Sequence, residues 1–210
     1  WEELTTGCVY VAGADVAEGV DGDYSILAVL NVTKERTAFR YRARVGVDVF
    51  YRECAKWGRY YNRALLGVER NNHGHAVILG LVETERYSNL FYEIKETRIV
   101  SKPRGLSSHS DQGPLAHIQH IGWTTDQTTK PVMMDALKFA MEGSSDIDEE
   151  HFQPEWTIYD KELLGEALTF KNKDGKLEAE SGKNDDCLVA YAIAHQMYLK
   201  TKGRLNHATN

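Results

Sequence analysis

Long apolar runs are missing from this chain of 210 residues. No stretch approaches the roughly 18 consecutive apolar residues that a membrane span needs, and the opening residues lack the charged-then-apolar pattern of a secretion signal. A protein that works in a cytosol, away from membranes, is expected. Cysteine is scarce: Cys8, Cys54 and Cys187 are odd in number, widely spaced and form no C-x-x-C pair. That spacing suggests neither a disulfide framework nor a structural zinc site, and the three read as small buried hydrophobes. The short histidine pairs, His73 with His75 and His117 with His120, have no cysteine or further paired ligand nearby, so zinc is not expected. Positive charge is not in excess either. A net charge of -6 argues against coating nucleic acid by electrostatics alone, because phosphate neutralisation needs Lys and Arg at the contact. Nothing suggests a linker or an internal repeat, and the length fits one domain with a sizeable core.

Acid is concentrated in three separated places. Asp15 and Asp23 lie in the first, Glu69 opens Glu69-Arg70-Asn71-Asn72, and Asp185 and Asp186 close Gly182-Lys183-Asn184-Asp185-Asp186. Each place is where an apolar stretch predicts the end of a strand or the start of a helix. Several carboxylates brought together repel one another unless cations neutralise them. The clusters therefore read as one divalent-metal site for phosphoryl transfer, most simply a nuclease. Hard oxygen ligands favour magnesium or manganese over zinc. Each cluster also has a bland explanation: Asp15 and Asp23 as turn residues, Glu69 as a surface salt-bridge acid, Asp185 and Asp186 as acids suited to a helix dipole. All three being bland at once is the weaker explanation.

The order of elements predicts an α/β fold. Residues 8–14 form an apolar run closed by Asp15, residues 25–32 a second strand, and residues 37–45 a third. In the third, strict alternation sends Phe39, Tyr41, Ala43 and Val45 one way and the arginines the other. Such a strand has one wet face and belongs near a sheet edge. Residues 48–61 carry Val49, Phe50, Cys54, Trp57 and Tyr61 at helical spacing, and residues 65–69 then read as a fourth strand. A helix between strands implies a right-handed crossover to a parallel partner. With the fourth strand beside the first, Asp15 and Glu69 finish at the same end of neighbouring strands, where open α/β sheets bind ligands.

Further helices are predicted over 75–84, 130–142 and 163–168, a strand over 90–94, and a hairpin about Asp174-Gly175. A last helix runs from Asp185 to about residue 199 with Asn184 as its cap. Periodicity does not say which of Asp185 and Asp186 faces the sheet, since both align with apolar residues further along. Residues 101–120 show no clear periodicity, and a stretch that long in a compact domain is functional or mobile. Residues 146–150 read as a solvated acidic loop. Two basic segments, 34–44 and 95–104, are either solvated strand faces or contacts to a DNA backbone. The candidates for such contacts are Arg40, Arg42, Arg44, Lys102 and Arg104. Lys183 either neutralises a phosphate or an extra carboxylate, or is solvated.

Taken together, these motifs resemble the ribonuclease H-like nuclease domain of a large terminase subunit from a tailed bacteriophage. The resemblance rests on Asp15 with Glu18-Gly19 and Asp23-Tyr24-Ser25, then Val68-Glu69-Arg70-Asn71-Asn72-His73-Gly74, then Asn184-Asp185-Asp186-Cys187-Leu188-Val189-Ala190-Tyr191-Ala192. Glu166-Ala167-Leu168-Thr169-Phe170, before the hairpin, also fits the pattern. The likeness implies a central mixed sheet, three antiparallel strands followed by parallel ones, flanked by helices. It implies a DNA endonuclease that cuts concatemeric viral DNA during genome packaging, using two magnesium or manganese ions. Asp15, Glu69 and Asp186 would be the catalytic acids. Asp15 would bridge both ions, Glu69 would complete one metal position and Asp186, helped by Asp185, the other, with Asp23 and Lys183 as auxiliaries.

Implied partners are double-stranded DNA, the terminase ATPase domain, a small terminase subunit and the portal protein of the procapsid, with no membrane. The implied place is the host-cell cytoplasm, transiently at the portal, and residues 101–120 are a candidate gate to the site. Two departures matter. No G-x-x-x-x-G-K-[ST] loop exists, so a nuclease domain separated from its ATPase motor is expected. Asn184 stands where the family often has His, which leaves open whether a basic group assists the metals. Rival readings are a Holliday-junction resolvase, a transposase-like nuclease, or a noncatalytic docking module. A sugar-kinase or actin-like phosphotransferase would need a second Gly-rich phosphate loop, which the sequence lacks.

Overall fold

Alternation decides where the core lies. The computed structural model describes residues 2–17, 23–98, 115–143, 154–173, 176–179 and 185–208. In β2 (Ser25–Asn31), Ile26, Ala28 and Leu30 enter one apolar layer while Leu27 and Val29 enter the other, as the two-residue period of a strand demands. β1 (Tyr10–Asp15) pairs antiparallel with β2, and β2 with β3 (Arg36–Ala43). α1 (Val47–Tyr60) then carries the chain to β4 (Leu65–Val68), which lies parallel to β1. The sheet order is β3-β2-β1-β4, a mixed sheet with the expected third strand at its edge.

Helices cover both faces of this sheet. α1 and α2 (Asn72–Leu79), which continues into a π-helical turn at Gly80–Thr84, close one layer through Phe50, Cys54, Val77 and Leu81. α3 (Thr129–Glu142) and α5 (Asp186–Ala208) close the other through Met133, Leu137 and Ile193. Every residue of α5 from 187 to 198 is buried, so this stretch has no polar face. A helix apolar all round carries no phase, which is why periodicity left the orientation of Asp185 and Asp186 open. Gly13 on β1 lets α5 lie directly on the strand: a β-carbon there would sit 2.2 Å from the Ala190 carbonyl oxygen.

Two expectations are corrected. The strand predicted over 90–94 is β5 (Tyr92–Arg98), and it pairs antiparallel with β6 (Leu115–Ile121), inside the stretch that shows no periodicity. On β5, Tyr92 and Ile94 share one face and are exposed, and a face open to solvent imposes no apolar pattern on the sequence. Beyond β4 the parallel pairing continues as bridges: Leu66 with Leu90, and Glu69 with Trp123. The Trp123 amide donates to the Val68 carbonyl at 2.7 Å, which covers an edge that would otherwise be open. Finally, the arginine face of β3 is not fully wet. The start of α4 (Lys161–Thr169) packs there, and Arg40 reaches Asp160 at 2.6 Å with 13% of its side chain exposed.

The hairpin forms as predicted, from β7 (Phe170–Lys173) and β8 (Lys176–Ala179). The three cysteines are free and buried. Among the described residues, no helix is long and apolar enough to cross a membrane.

Candidate active site

Two neighbouring strand ends begin the site. Ala14 is in register with Val68, and the Glu69 amide donates to the Ala14 carbonyl at 2.8 Å. Asp15 and Glu69 therefore leave the sheet side by side. α5, lying across β1, brings Asp186 to the same end as its first residue. Asp186 Oδ2 accepts from the Tyr24 amide at 3.4 Å, which ties it to the start of β2. Asp15, Asp23, Tyr24, Asn71, His73 and Asp186 line a cleft of about 350 Å³. A larger cavity of about 610 Å³ runs along β3, but its arginines are already paired, Arg36 with Glu2 at 2.8 Å and Arg40 with Asp160.

The electrostatics of the cleft are those of acids without enough countercharge. Burial raises the Asp15 carboxyl well above its ordinary value, and Glu69, Asp186 and Asp185 push it the same way. A hydrogen bond to Glu69, which only protonated Asp15 can donate, adds to the shift. Asp186 is pushed up to about 6 by burial and then by Asp23, against the Tyr24 amide and Arg42. Among the described residues no three acids, histidines or cysteines converge closely enough to hold an ion unaided. Instead there is a tight pair, Asp15 with Glu69, and a second carboxylate group around Asp186. The donors of these two groups are carboxylate oxygens, with His73 also lining the cleft. That set fits magnesium or manganese, which take one or two carboxylates and complete their shells with water and substrate phosphate.

A consequence for stability follows from the sign of these shifts. Folded Asp186 holds a proton up to about 6, whereas the unfolded chain releases it near 3.8. Stability is therefore lost as pH rises through that window. His195, held down to about 4 chiefly by burial, acts in the opposite sense between that value and 6.5, so a difference between variants isolates the acid. In EDTA at pH 7.5, Asp186→Asn is expected to gain about 1–2 kcal/mol after discounting for solvent screening, roughly 2–8 °C in Tm. At pH 3.5 the gain should vanish. Manganese should raise the wild-type Tm at pH 7.5 and leave Asp186→Asn nearly unmoved. Thermal denaturation with and without metal checks both.

The remaining predicted residues divide. Asp185 joins the group around Asp186 but points its carboxylate to Lys130, 3.1 Å away at the start of α3. Asp23 lines the cleft and raises Asp186. Arg42 lies over the Tyr24 ring at 3.7 Å and Arg44 at 4.5 Å, both at the rim, while Arg40 is held by Asp160 inside the fold. Lys102, Arg104, Lys183, Asn184 and residues 146–150 lie outside the described residues, as does 101–114 of the candidate gate. The last helix begins at Asp186, and the Val189 amide donates to the Asp185 carbonyl at 2.9 Å, which puts Asp185 in the cap position.

Two residues in the site were not foreseen. Asn71 caps α2 by accepting from the Gly74 amide at 2.7 Å, while its own amide donates to Glu69 Oε2 at 2.8 Å and the Val16 carbonyl at 3.1 Å. One side chain thus fixes both strand ends. Gly74 is required by the same close turn, since a β-carbon there would lie 1.8 Å from the Glu69 carbonyl oxygen. The readable signal was an Asn just before a helix. Glu166 lies one turn after Leu163 on the buried face of α4, and its Oε2 accepts from the Cys187 and Leu188 amides at 2.8 and 3.0 Å. No local pattern announces that partnership.

No protein-family model and no curated protein matches the sequence, but solved structures match its shape. One is the large terminase nuclease of the thermophilic phage G20c with bound magnesium, at TM-score 0.64 and 15% identity over 93% of this chain and 84% of that one. This chain has the fold of a large terminase nuclease. The G20c nuclease with bound cobalt matches at TM-score 0.62 and 16% identity, covering 93% of this chain and 84% of that one. The nuclease domain of the Thermus phage P74-26 large terminase matches at TM-score 0.59 and 16% identity, covering 94% and 83%. Terminase nucleases thus share the mixed sheet and flanking helices described above.

Proposed function

We propose that this chain is a metal-dependent DNA endonuclease that cuts concatemeric viral DNA during genome packaging, by two-metal-ion hydrolysis with magnesium or manganese. The observation that carries the reading is that Asp15 and Glu69 stand side by side at adjacent strand ends, with Asp186 brought to the same cleft by α5. The metal-bound states of a terminase nuclease of the same fold support it. Asp15 and Glu69 would hold one ion, and Asp15 with Asp186 and Asp185 the other. Bound ions would supply an activated water and charge to stabilise the leaving oxygen. The chain's own part is positional. Asn71 holds Glu69, the Tyr24 amide holds Asp186, and Lys130 holds Asp185. Arg42 and Arg44 give the rim positive charge for a DNA phosphate. The ATPase motor, small terminase subunit and portal belong to this proposal as partners, and the host-cell cytoplasm as its place.

The test is supercoiled plasmid incubated with the protein in EDTA, magnesium or manganese. Nicking and linearisation are expected only with metal. Faster cleavage of a four-way junction than of linear duplex would favour a resolvase, and no cleavage of any DNA in either metal would sink the nuclease.

A further inference from the structure

The first turn of α5 is capped in an unusual way, and the consequence falls on the acids of the cleft. A helix start leaves unsatisfied amides, which the side chain of the cap residue ordinarily accepts. In α5 the cap position belongs to Asp185, yet its carboxylate is turned away to Lys130. The amides that it would have accepted, those of Cys187 and Leu188, go instead to one oxygen of Glu166 on α4. Glu166 is buried on the same face as Leu163, so its carboxylate is fixed by the packing of α4 on α5. Asp186 lies immediately before these two amides, and its side chain is aimed at the cleft and Tyr24.

We propose that Glu166 is a positioning residue for the metal site: by capping α5 from another helix, it leaves Asp185 free to pair with Lys130 and sets the direction of Asp186. This rests on the reading of the site as metal-dependent. Glu166 touches no substrate and acts through the backbone of the helix that carries the acids. Its surroundings are consistent with that role. Burial pushes its carboxyl up to about 7, against the Leu188 and Cys187 hydrogen bonds, which favour the charged acceptor. Arg42, at the rim, faces both Glu166 and Asp186.

Glu166→Gln and Glu166→Met separate capping from packing. Glutamine keeps an oxygen that accepts both amides; methionine fills a similar volume and accepts neither. Three readouts are needed: hydrogen exchange of the Cys187 and Leu188 amides, manganese affinity by calorimetry, and plasmid cleavage. Glu166→Met should lose protection at those two amides and bind manganese roughly 10- to 100-fold more weakly, the usual effect of losing an outer partner of metal ligands. Glu166→Gln should stay within about threefold of wild type. Equal manganese affinity in wild type and a folded Glu166→Met would overturn the proposal while leaving the nuclease reading intact. So would a Glu166→Gln as impaired as Glu166→Met, since charge rather than capping would then matter. If Glu166→Met does not fold, Glu166→Gln decides alone: unprotected amides or weakened metal binding overturn the proposal. Wild type that binds no manganese overturns the metal reading, and this inference with it.

Discussion

Replacing Asp15 with asparagine should abolish metal-dependent cleavage of plasmid DNA, by ~10³-fold or more, while making the metal-free protein more stable. The two effects share one cause. Asp15 keeps a little surface in the cleft but is otherwise enclosed, beside Glu69 and within the influence of Asp185 and Asp186. Burying a carboxylate among carboxylates is costly when no cation offsets it. Asparagine keeps the shape and can still donate to Glu69, yet offers a metal only a neutral oxygen. A variant that loses activity by misfolding would show a lower Tm; this one should show a higher Tm in EDTA at pH 7.5 and no further rise with manganese. Retained cleavage, or a falling Tm, would place the chemistry elsewhere.

Gly13→Ala should be the most damaging small substitution in the sheet. Its new methyl would fall 2.2 Å from the Ala190 carbonyl oxygen and 2.4 Å from the Ala194 amide nitrogen. Both are backbone atoms of α5, so the helix must move away from β1. Overpacking of this kind costs about 3 kcal/mol, or roughly 6–12 °C in Tm. Activity should fall further than stability explains, because the displaced helix carries Asp185 and Asp186 away from Asp15. Gly165→Ala on α4 is the control. A β-carbon there meets nothing within 4 Å, so the change should be neutral or stabilising by up to about 1 kcal/mol, as expected for Gly to Ala in a helix. Melting curves of both variants, with manganese titrations, check the contrast. Equal Tm values would show that α5 does not rest on β1 as described.

These residues also show how far the chain could be read before its fold was known. β1, β2 and β4 were legible because each is a short apolar run, and their closing or flanking acids named the site. α1 was legible from the spacing of Phe50, Cys54 and Trp57. β6 was not, because its apolar residues, Leu115, Ala116, Ile118 and Ile121, follow no two-residue period and form no continuous run. Arg40 and Arg42 were read as one basic face, since a two-residue period gives the side of a strand and nothing about what covers it. α4 covers it, and Arg40 ends in an ion pair with Asp160, which also accepts from the Tyr191 hydroxyl at 2.9 Å.

By itself, then, the sequence determined the elements and their order, β6 excepted, and the acids that stand at strand and helix ends. Those follow from local patterns: apolar period, turn residues, and where a run of one kind stops. The tertiary structure alone decided that Glu69 stands beside Asp15, that Asp186 joins them, and that Glu166 caps the helix delivering it. The partners in the last two cases lie more than twenty residues apart and meet only through packing, as α5 settles against Gly13 and Leu163 enters the core. Spacing along a chain records which face a side chain takes, and the identity of what it meets is fixed only when the layers close.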